Sequence, residues 1–456
     1  MASLEKLLQT VDDSENEIVQ LACDLIRFPT VNTGVMPTGD ELPLAEFLHN
    51  RLAAEGVESD LLKSADRRAN LVARLPGRQG KPRLLYMAHT DVVPVENASQ
   101  WKYPPFSGAV AEGRIWGRGA SDMKDMLAAE AMALILLKRA GVALQGDLIF
   151  AAGADEETGG KYGFGWLAEN APEAIRADFG LNEGGGTPIV TGKGLVYNIA
   201  VGEKGRLEVH LTVRGKAAHA SVPWAGDNVA WKLAEILKRL EAYRPELDVS
   251  QEIYTVLPSL LGRSEPITVE NVDAVADEVT AVHRHLGYGL RGLSRMTLAP
   301  TMVSGGIKSN SIPESCTLVC DVRILPHQDE AYVRSQVDKL LAGIEGVSYE
   351  LIYTAVPSAS PFNTDFAAAV RRATEVVTGR RDLLWLPSLT TGFTDARLVR
   401  PLGVTLYGFG PAHPDSDPNF PSGVHGANEN TEIRGLLFQT KLFMALACDV
   451  LKAQVE

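Results

Sequence analysis

At 456 residues the chain is too long for one ordinary core, and two or three domains are expected. Its 45% hydrophobic and 22% charged residues describe a soluble globular protein, and no apolar run approaches the roughly 18 to 20 residues that a membrane span needs. A formal net charge of −13 excludes the broad basic face that nucleic-acid binding requires.

The first residues, Met1-Ala2-Ser3-Leu4-Glu5-Lys6, lack a basic segment followed by an apolar stretch, so no secretory signal is visible and a cytoplasmic location is expected. Residues 15–27 and 43–55 carry apolar positions at helical spacing, the first ended by Phe28-Pro29. Strands follow at 70–75, 83–88 and 147–152, with a long helix from Met123 to about Ala140 closed by Gly141. Strands alternating with helices predict an α/β fold with a mostly parallel sheet flanked by helices.

Near residue 203 the rhythm changes. Residues 206–213 alternate by two, as a half-exposed strand does. A helix at 227–240, a polar and partly helical stretch to about 295, strands at 296–303 and 314–323, a helix at 330–342 and a strand at 347–353 complete the order β-α-β-β-α-β. That order is the split unit of a ferredoxin-like α+β domain. From about 357 the α/β style resumes and runs to a terminal helix at 431–452. The expected organisation is a discontinuous domain, 1–202 with 357–456, carrying an inserted domain at 203–356. Four cysteines are too few for a disulfide framework, and Cys316 and Cys320 read as buried thiols of a strand, with no second pair to complete a structural zinc site.

Five short stretches supply imidazole or carboxylate donors, most of them directly after apolar runs. His89 and Asp91 lie two apart beyond a buried strand, so one can coordinate a metal while the other orients the imidazole; the plain alternative is a loop histidine with an Asx turn. Asp122 opens a helix and reads either as its N-cap or as a carboxylate bridging two cations. Asp155, Glu156 and Glu157 are three consecutive acids at a sheet mouth. They read as a solvated turn, or as a general base beside a metal ligand whose mutual repulsion a cation relieves. Glu183 follows Phe179-Gly180-Leu181-Asn182 and precedes three glycines, and His425 sits in a Pro/Gly-rich loop after the apolar run 403–410.

Taken in order, Tyr86-Met87-Ala88-His89-Thr90-Asp91, Trp116-Gly117-Arg118-Gly119-Ala120-Ser121-Asp122, Asp155-Glu156-Glu157-Thr158-Gly159 and His425-Gly426-Ala427-Asn428-Glu429 closely resemble the motifs of a known family. It is the co-catalytic zinc aminopeptidase-like family that contains acetylornithine deacetylase, succinyl-diaminopimelate desuccinylase, aminoacylase and glutamate carboxypeptidase. The resemblance runs along essentially the whole chain. It implies that His89 and Glu183 hold one metal, that Glu157 and His425 hold another, and that Asp122 bridges them. Glu156 would then take the proton of the attacking water, and Asp91 would orient His89.

Such donors without thiolate suit two divalent ions, Zn²⁺ first, with Co²⁺ or Mn²⁺ as alternatives. The resemblance also makes the inserted domain a lid and dimerisation domain, so a homodimer is expected. His219, in Gly215-Lys216-Ala217-Ala218-His219, resembles the lid histidine that helps stabilise the oxyanion. Asn310 and Arg323 match substrate-carboxylate contacts, with a solvent-facing strand arginine as the alternative for Arg323. Gly392 and Thr394 match a pocket-closing loop in which Phe393 is a departure.

The implied reaction is hydrolysis of a C–N amide bond in a small carboxylate-bearing substrate, an N-acyl amino acid or a dipeptide. Glu at position 183 favours a deacylase or carboxypeptidase over an aminopeptidase. The rivals are dipeptidase specificity, a catalytically silent metal-binding relative, and a two-metal phosphoesterase.

Overall fold

Unbroken apolar runs, rather than alternating ones, form the centre of the main sheet, as expected of strands covered on both faces. The computed structural model describes residues 3–417 and 420–453. It divides into two compact units, Met1–Val201 with Ser360–Ser388 and Thr394–Glu456, and Gly202–Ala359 with Leu389–Phe393.

In the first unit the strands Asp147–Gly153, Arg83–His89, Phe179–Asn182 and Thr405–Gly408 lie side by side and parallel. Arg68–Leu75 pairs antiparallel outside Asp147–Gly153, and Glu58–Ala65 pairs outside that. Leu84 to Ala88 and Leu148 to Ala152 are wholly buried. The helix Lys124–Arg139 is buried along nearly its whole length and packs on the terminal helix Ile433–Val450, while Phe164, Leu167, Val399 and Leu406 join a second apolar cluster. Because the four central strands are parallel, their C-terminal ends share one edge, where open α/β sheets present their ligand-binding loops.

Glu130, in the middle of the helix Lys124–Arg139, is fully buried, and neither carboxylate oxygen has a hydrogen-bond partner among the described residues. Burial holds its carboxyl well above the ordinary value. The folded state therefore keeps a proton that the unfolded chain releases above about pH 4.5, so folding stability falls as pH rises from there toward the folded pKa. Glu130→Gln is expected to flatten that fall. Urea unfolding at pH 6 and pH 9 should show the wild type losing more stability than the variant across the interval.

The second unit is the expected ferredoxin-like fold: antiparallel strands in the order Thr297–Gly305, Ser315–Ile324, Gly205–Arg214, Val347–Ala355, with helices Val229–Ala242 and Glu330–Leu341 sharing the core of Leu207, Val209, Leu211, Leu318, Val322, Ile236, Val333 and Val337. The stretch read as polar and partly helical is three helices, Glu252–Leu261, Val272–Val282 and Arg284–Leu293, whose apolar positions (Ile253, Leu257, Val275, Val279, Leu290) are buried. Its charged residues mask that stripe in a simple composition count. Buried Lys204 anchors it, with Nζ donating to the carbonyls of Gly292 at 2.7 Å and Arg295 at 2.8 Å. Leu389–Phe393, expected with the first domain, belongs to this unit, where Thr390 O accepts from Lys204 N at 3.0 Å and Thr391 O from Arg323 Nη1 at 3.2 Å. Cys316 and Cys320 are buried free thiols on the strand Ser315–Ile324, and Cys23 and Cys448 are likewise buried and free. No helix of the described residues is long and apolar enough to cross a membrane.

Candidate metal centre

His89 is the last residue of its buried strand and is itself 1% exposed. Its Nδ1 lies 3.0 Å from the backbone oxygen of Asp91 and 3.5 Å from Asp91 Oδ1, which turns Nε2 toward Asp122 Oδ1 at 3.0 Å and Glu183 Oε1 at 3.9 Å. Asp122 faces a second imidazole through its other oxygen, with His425 Nε2 3.1 Å from Oδ2. The same His425 nitrogen is 3.3 Å from Glu157 Oε2. Two groups of donors result, His89–Asp122–Glu183 and Asp122–Glu157–His425, each with its ligand atoms within 4.8 Å of one another.

The local sequence accounts for these placements. The helix begins at Lys124, one residue after the expected Met123, and its N-cap is Met123 with no side-chain cap bond, so the Asp122 carboxylate is not spent on a cap. The loop carrying Asp122 is instead gathered by buried Glu429. Glu429 Oε1 accepts from the backbone N–H of Ser121 and Asp122, each at 3.0 Å, and Oε2 accepts from Gly119 N at 3.0 Å and Arg118 Nη1 at 2.5 Å. After Glu183 the glycines 184, 185 and 186 all have positive φ. A Cβ on Gly185 would lie 2.4 Å from Gly408 O, and one on Gly186 2.5 Å from Pro411 Cα, so the loop lies against the neighbouring chain only without side chains.

Glu156 and Glu157 do not form a solvated turn: Glu156 is 7% exposed, and their backbone N–H groups donate to Asp91 Oδ1 at 3.0 Å and Oδ2 at 3.2 Å. Asp91 thus joins the His89 ring to the acidic turn. Asn32 and Arg68, which carried no signal in the sequence, are buried in this same network, as is Asp155. Asp395 is also buried, with both oxygens lacking a hydrogen-bond partner among the described residues, and burial pushes its carboxyl up to about 7. Neighbouring Thr394 Oγ1 accepts from Asn182 Nδ2 at 3.1 Å.

The other four sequence candidates lie in the second unit. A short ladder pairs His219 with Ser311, which brings Asn310 beside the histidine; Asn310 O accepts from Ala220 N at 3.1 Å. His219 is exposed, and its Nδ1 is 2.6 Å from Ser221 Oγ. Arg323 points its Nε at Asp321 Oδ1 at 2.8 Å and its Nη1 at Thr391 O, next to Gly392.

The electrostatics of the first unit's cluster are those of unbalanced negative charge. Burial opposes protonation of His89, yet Asp122, Asp91 and Glu183 outweigh it and hold the ring's pKa well above its ordinary value. Hydrogen bonds to Asp122 and Glu157 push His425 up to about 10. Burial, and then the charge of Asp122, lifts Glu183 to about 8, and burial with the charge of Glu183 lifts Glu156 well above the carboxylate range. Groups that compete this strongly for protons are those a divalent cation displaces protons from. The donor set fits two such ions: nitrogen and oxygen ligands, one carboxylate common to both groups, and in Glu157 Oε1 a buried oxygen with no hydrogen-bond partner among the described residues.

Comparison with known proteins agrees with this chemistry. A protein from Staphylococcus aureus (strain MRSA252) named probable succinyl-diaminopimelate desuccinylase is 28% identical over 416 residues, covering 88% of this chain and 91% of its own. Among solved structures, an M20 family metallo-carboxypeptidase from Sulfolobus solfataricus has the same fold, with a TM-score of 0.70 at 21% identity over 94% of this chain and 98% of its own. The di-peptidase Dug1p of Saccharomyces cerevisiae gives a TM-score of 0.69 at 16% identity over all of both chains. The family model for peptidase family M20/M25/M40 matches residues 85–449, a span that holds both donor groups and the turn between them, and the chain therefore belongs to that family and is a metal-dependent hydrolase.

Proposed function

We propose that the protein hydrolyses the C–N amide bond of a small carboxylate-bearing substrate, with His89 and Glu183 holding one divalent ion, Glu157 and His425 a second, and Asp122 shared between them. The observation that carries this reading is the pair of three-donor groups meeting at Asp122. Two cations bound there supply Lewis acidity, lowering the pKa of a water and polarising the scissile carbonyl. Zn²⁺ suits the donors best, with Co²⁺ or Mn²⁺ as alternatives.

The chain's own residues do the rest. Glu156 belongs to neither donor group, and its burial beside other carboxylates gives it a raised proton affinity. It takes a proton from the attacking water and returns it to the leaving nitrogen. Asp91 fixes the His89 ring through Nδ1 and the acidic turn through two backbone N–H groups. His219, with Nδ1 engaged by Ser221, offers Nε2 to the developing oxyanion. Asn310 and Arg323 are assigned to the substrate carboxylate, for which the Arg323 fork would exchange its Asp321 and Thr391 O partners, with Gly392 and Thr394 in the pocket-closing loop.

The S. aureus relative's name supports the deacylase form of this reading, with dipeptidase or carboxypeptidase specificity as the alternative. The metal-reconstituted enzyme, assayed on N-acyl amino acids, dipeptides and phosphate monoesters, is expected to turn over an amide and none of the phosphates. Phosphate turnover alone would overturn the assignment.

The second unit also carries the proposal of a homodimer. Its edge strand Thr297–Gly305 is exposed from Ala299 onward, with Met302 at 66% and Val303 at 59%, and Trp224, Trp231 and Ile307 add exposed apolar surface on the same unit. Sedimentation at micromolar concentration should give the dimer mass, and Val303→Arg should shift it toward the monomer. A wild type that sediments only as monomer rules the dimer out. The four buried free cysteines suit the reducing cytoplasm, the location proposed here.

A further inference from the structure

Asp155, Glu156 and Glu157 put three acids in one turn, two of them buried, and Asp91 sets a fourth carboxylate against them. Such a turn needs a counter-charge and a backbone that cannot relax away from the repulsion. Arg68 meets the first need. It is 1% exposed, its Nη1 lies 3.0 Å from Asp155 Oδ1, and its other two nitrogens donate to buried Glu41, Nε to Oε2 at 3.0 Å and Nη2 to Oε1 at 2.5 Å. Its guanidinium also lies 5.0 Å from the centre of the Tyr162 ring.

Asn32 meets the second need. Its Nδ2 sits within hydrogen-bonding distance of Asp91 Oδ2 (2.8 Å), Asp155 Oδ1 (3.0 Å) and Thr158 Oγ1 (3.0 Å), bridging the two carboxylates. Asp155 Oδ2 accepts from Tyr162 N at 3.0 Å, closing the turn from its far side. Held by these partners, Asp155 adopts φ +71°, a left-handed conformation that a non-glycine residue keeps only when its surroundings impose it. That conformation aims the next two N–H groups at Asp91.

We infer that Arg68 and Asn32 are positioning residues for the reaction. Acting through Asp155 and Asp91, they fix the backbone of Glu156 and Glu157 so that the first carboxylate serves as base and the second as metal ligand. This rests on the roles proposed above for those two glutamates. Arg68 and Asn32 act at one remove, because neither belongs to a donor group and their contacts toward the donors run through Asp155, Asp91 and Thr158.

Arg68→Met keeps length and removes the fork and charge, Arg68→Lys keeps charge without the fork, and Asn32→Leu keeps size without the bridge. In the full-length, metal-reconstituted enzyme, Arg68→Met and Asn32→Leu are each expected to lower kcat by about ten- to a hundredfold with KM within about twofold, and Arg68→Lys to recover part of the loss. In the metal-free chain the amides of Glu156 and Glu157 should exchange at least about tenfold faster, while the strand Arg83–His89 keeps its protection. Wild-type kcat in folded variants, or protection lost equally along that strand, would overturn the inference. Should Arg68→Met fail to fold, Asn32→Leu carries both measurements. A wild type inactive on every amide would fail the functional reading, and the exchange measurement would still decide whether Arg68 and Asn32 hold the turn.

Discussion

Glu156→Gln should lower kcat by about 10²–10⁴-fold, the usual worth of a general base, with KM and metal content close to wild type. The expectation rests on the different surroundings of two adjacent residues. Glu157 joins a donor group with Asp122 and His425, whereas Glu156 joins neither group and is held through its backbone, its N–H donating to Asp91 Oδ1 and its carbonyl accepting from Gly159 N at 2.9 Å. Glutamine preserves the shape and the burial but cannot take a proton from the attacking water. It also removes a carboxyl whose proton affinity burial has raised, so fold stability should not suffer.

The neighbouring substitution supplies the contrast. Glu157→Gln should reduce metal content as well as kcat, because it weakens a ligand. Elemental analysis beside steady-state kinetics separates the two variants. A Glu156→Gln enzyme that keeps full kcat, or one that loses metal as Glu157→Gln does, would remove Glu156 from the role of base.

The convergence of the donor side chains was legible in the sequence because the parallel sheet does most of the assembling. Once Arg83–His89, Asp147–Gly153, Phe179–Asn182 and Thr405–Gly408 are parallel, whatever follows each strand arrives at one edge. His89, Glu156, Glu157 and Glu183 could therefore be read as neighbours from apolar runs followed by donors. Asp122 was ambiguous, since a carboxylate one residue ahead of a helix is most often its cap. Only the position of the cap at Met123, together with the two imidazoles, removes that ambiguity.

The supporting residues were not legible, for a different reason. Arg68 lies in Asp66-Arg67-Arg68, a charged pair of arginines that reads as surface, yet Arg67 faces exposed Asp40 while Arg68 is sealed against Glu41 and Asp155. Arg67 sits in the hairpin turn with φ +59°, whereas Arg68 opens the strand Arg68–Leu75, which is buried on both faces, and composition cannot say where the turn ends and the buried strand begins. Asn32 and Glu429 act through backbone N–H groups and single side-chain atoms on loops 59 and 307 residues away, a type of contact that leaves no periodicity. The three helices between 252 and 293 were legible only in part for a related reason, their apolar stripe being interrupted by charges that pair on the surface, such as Arg291 with Asp277.

Asp122→Asn should have the broadest effect of any single change, lowering metal stoichiometry from two ions per chain toward fewer than one and taking activity to background. Asp122 is the residue common to both donor groups, with one oxygen directed at His89 Nε2 and the other at His425 Nε2. An amide in its place offers one neutral oxygen and one N–H₂ that repels a cation, so each ion loses its shared anionic ligand. The loss per ion should exceed the 10- to 100-fold drop in affinity that follows removal of an outer partner of a metal ligand. His425→Ala removes a donor from one group only, leaves His89–Asp122–Glu183 whole, and should retain about one ion. Isothermal titration of the metal-free proteins with Zn²⁺, beside elemental analysis, orders the three as wild type, His425→Ala, Asp122→Asn. Retention of two ions by Asp122→Asn would mean that the groups bind independently and that Asp122 bridges nothing. Stepwise loss in the stated order requires a shared carboxylate, which is what makes the two donor groups one centre.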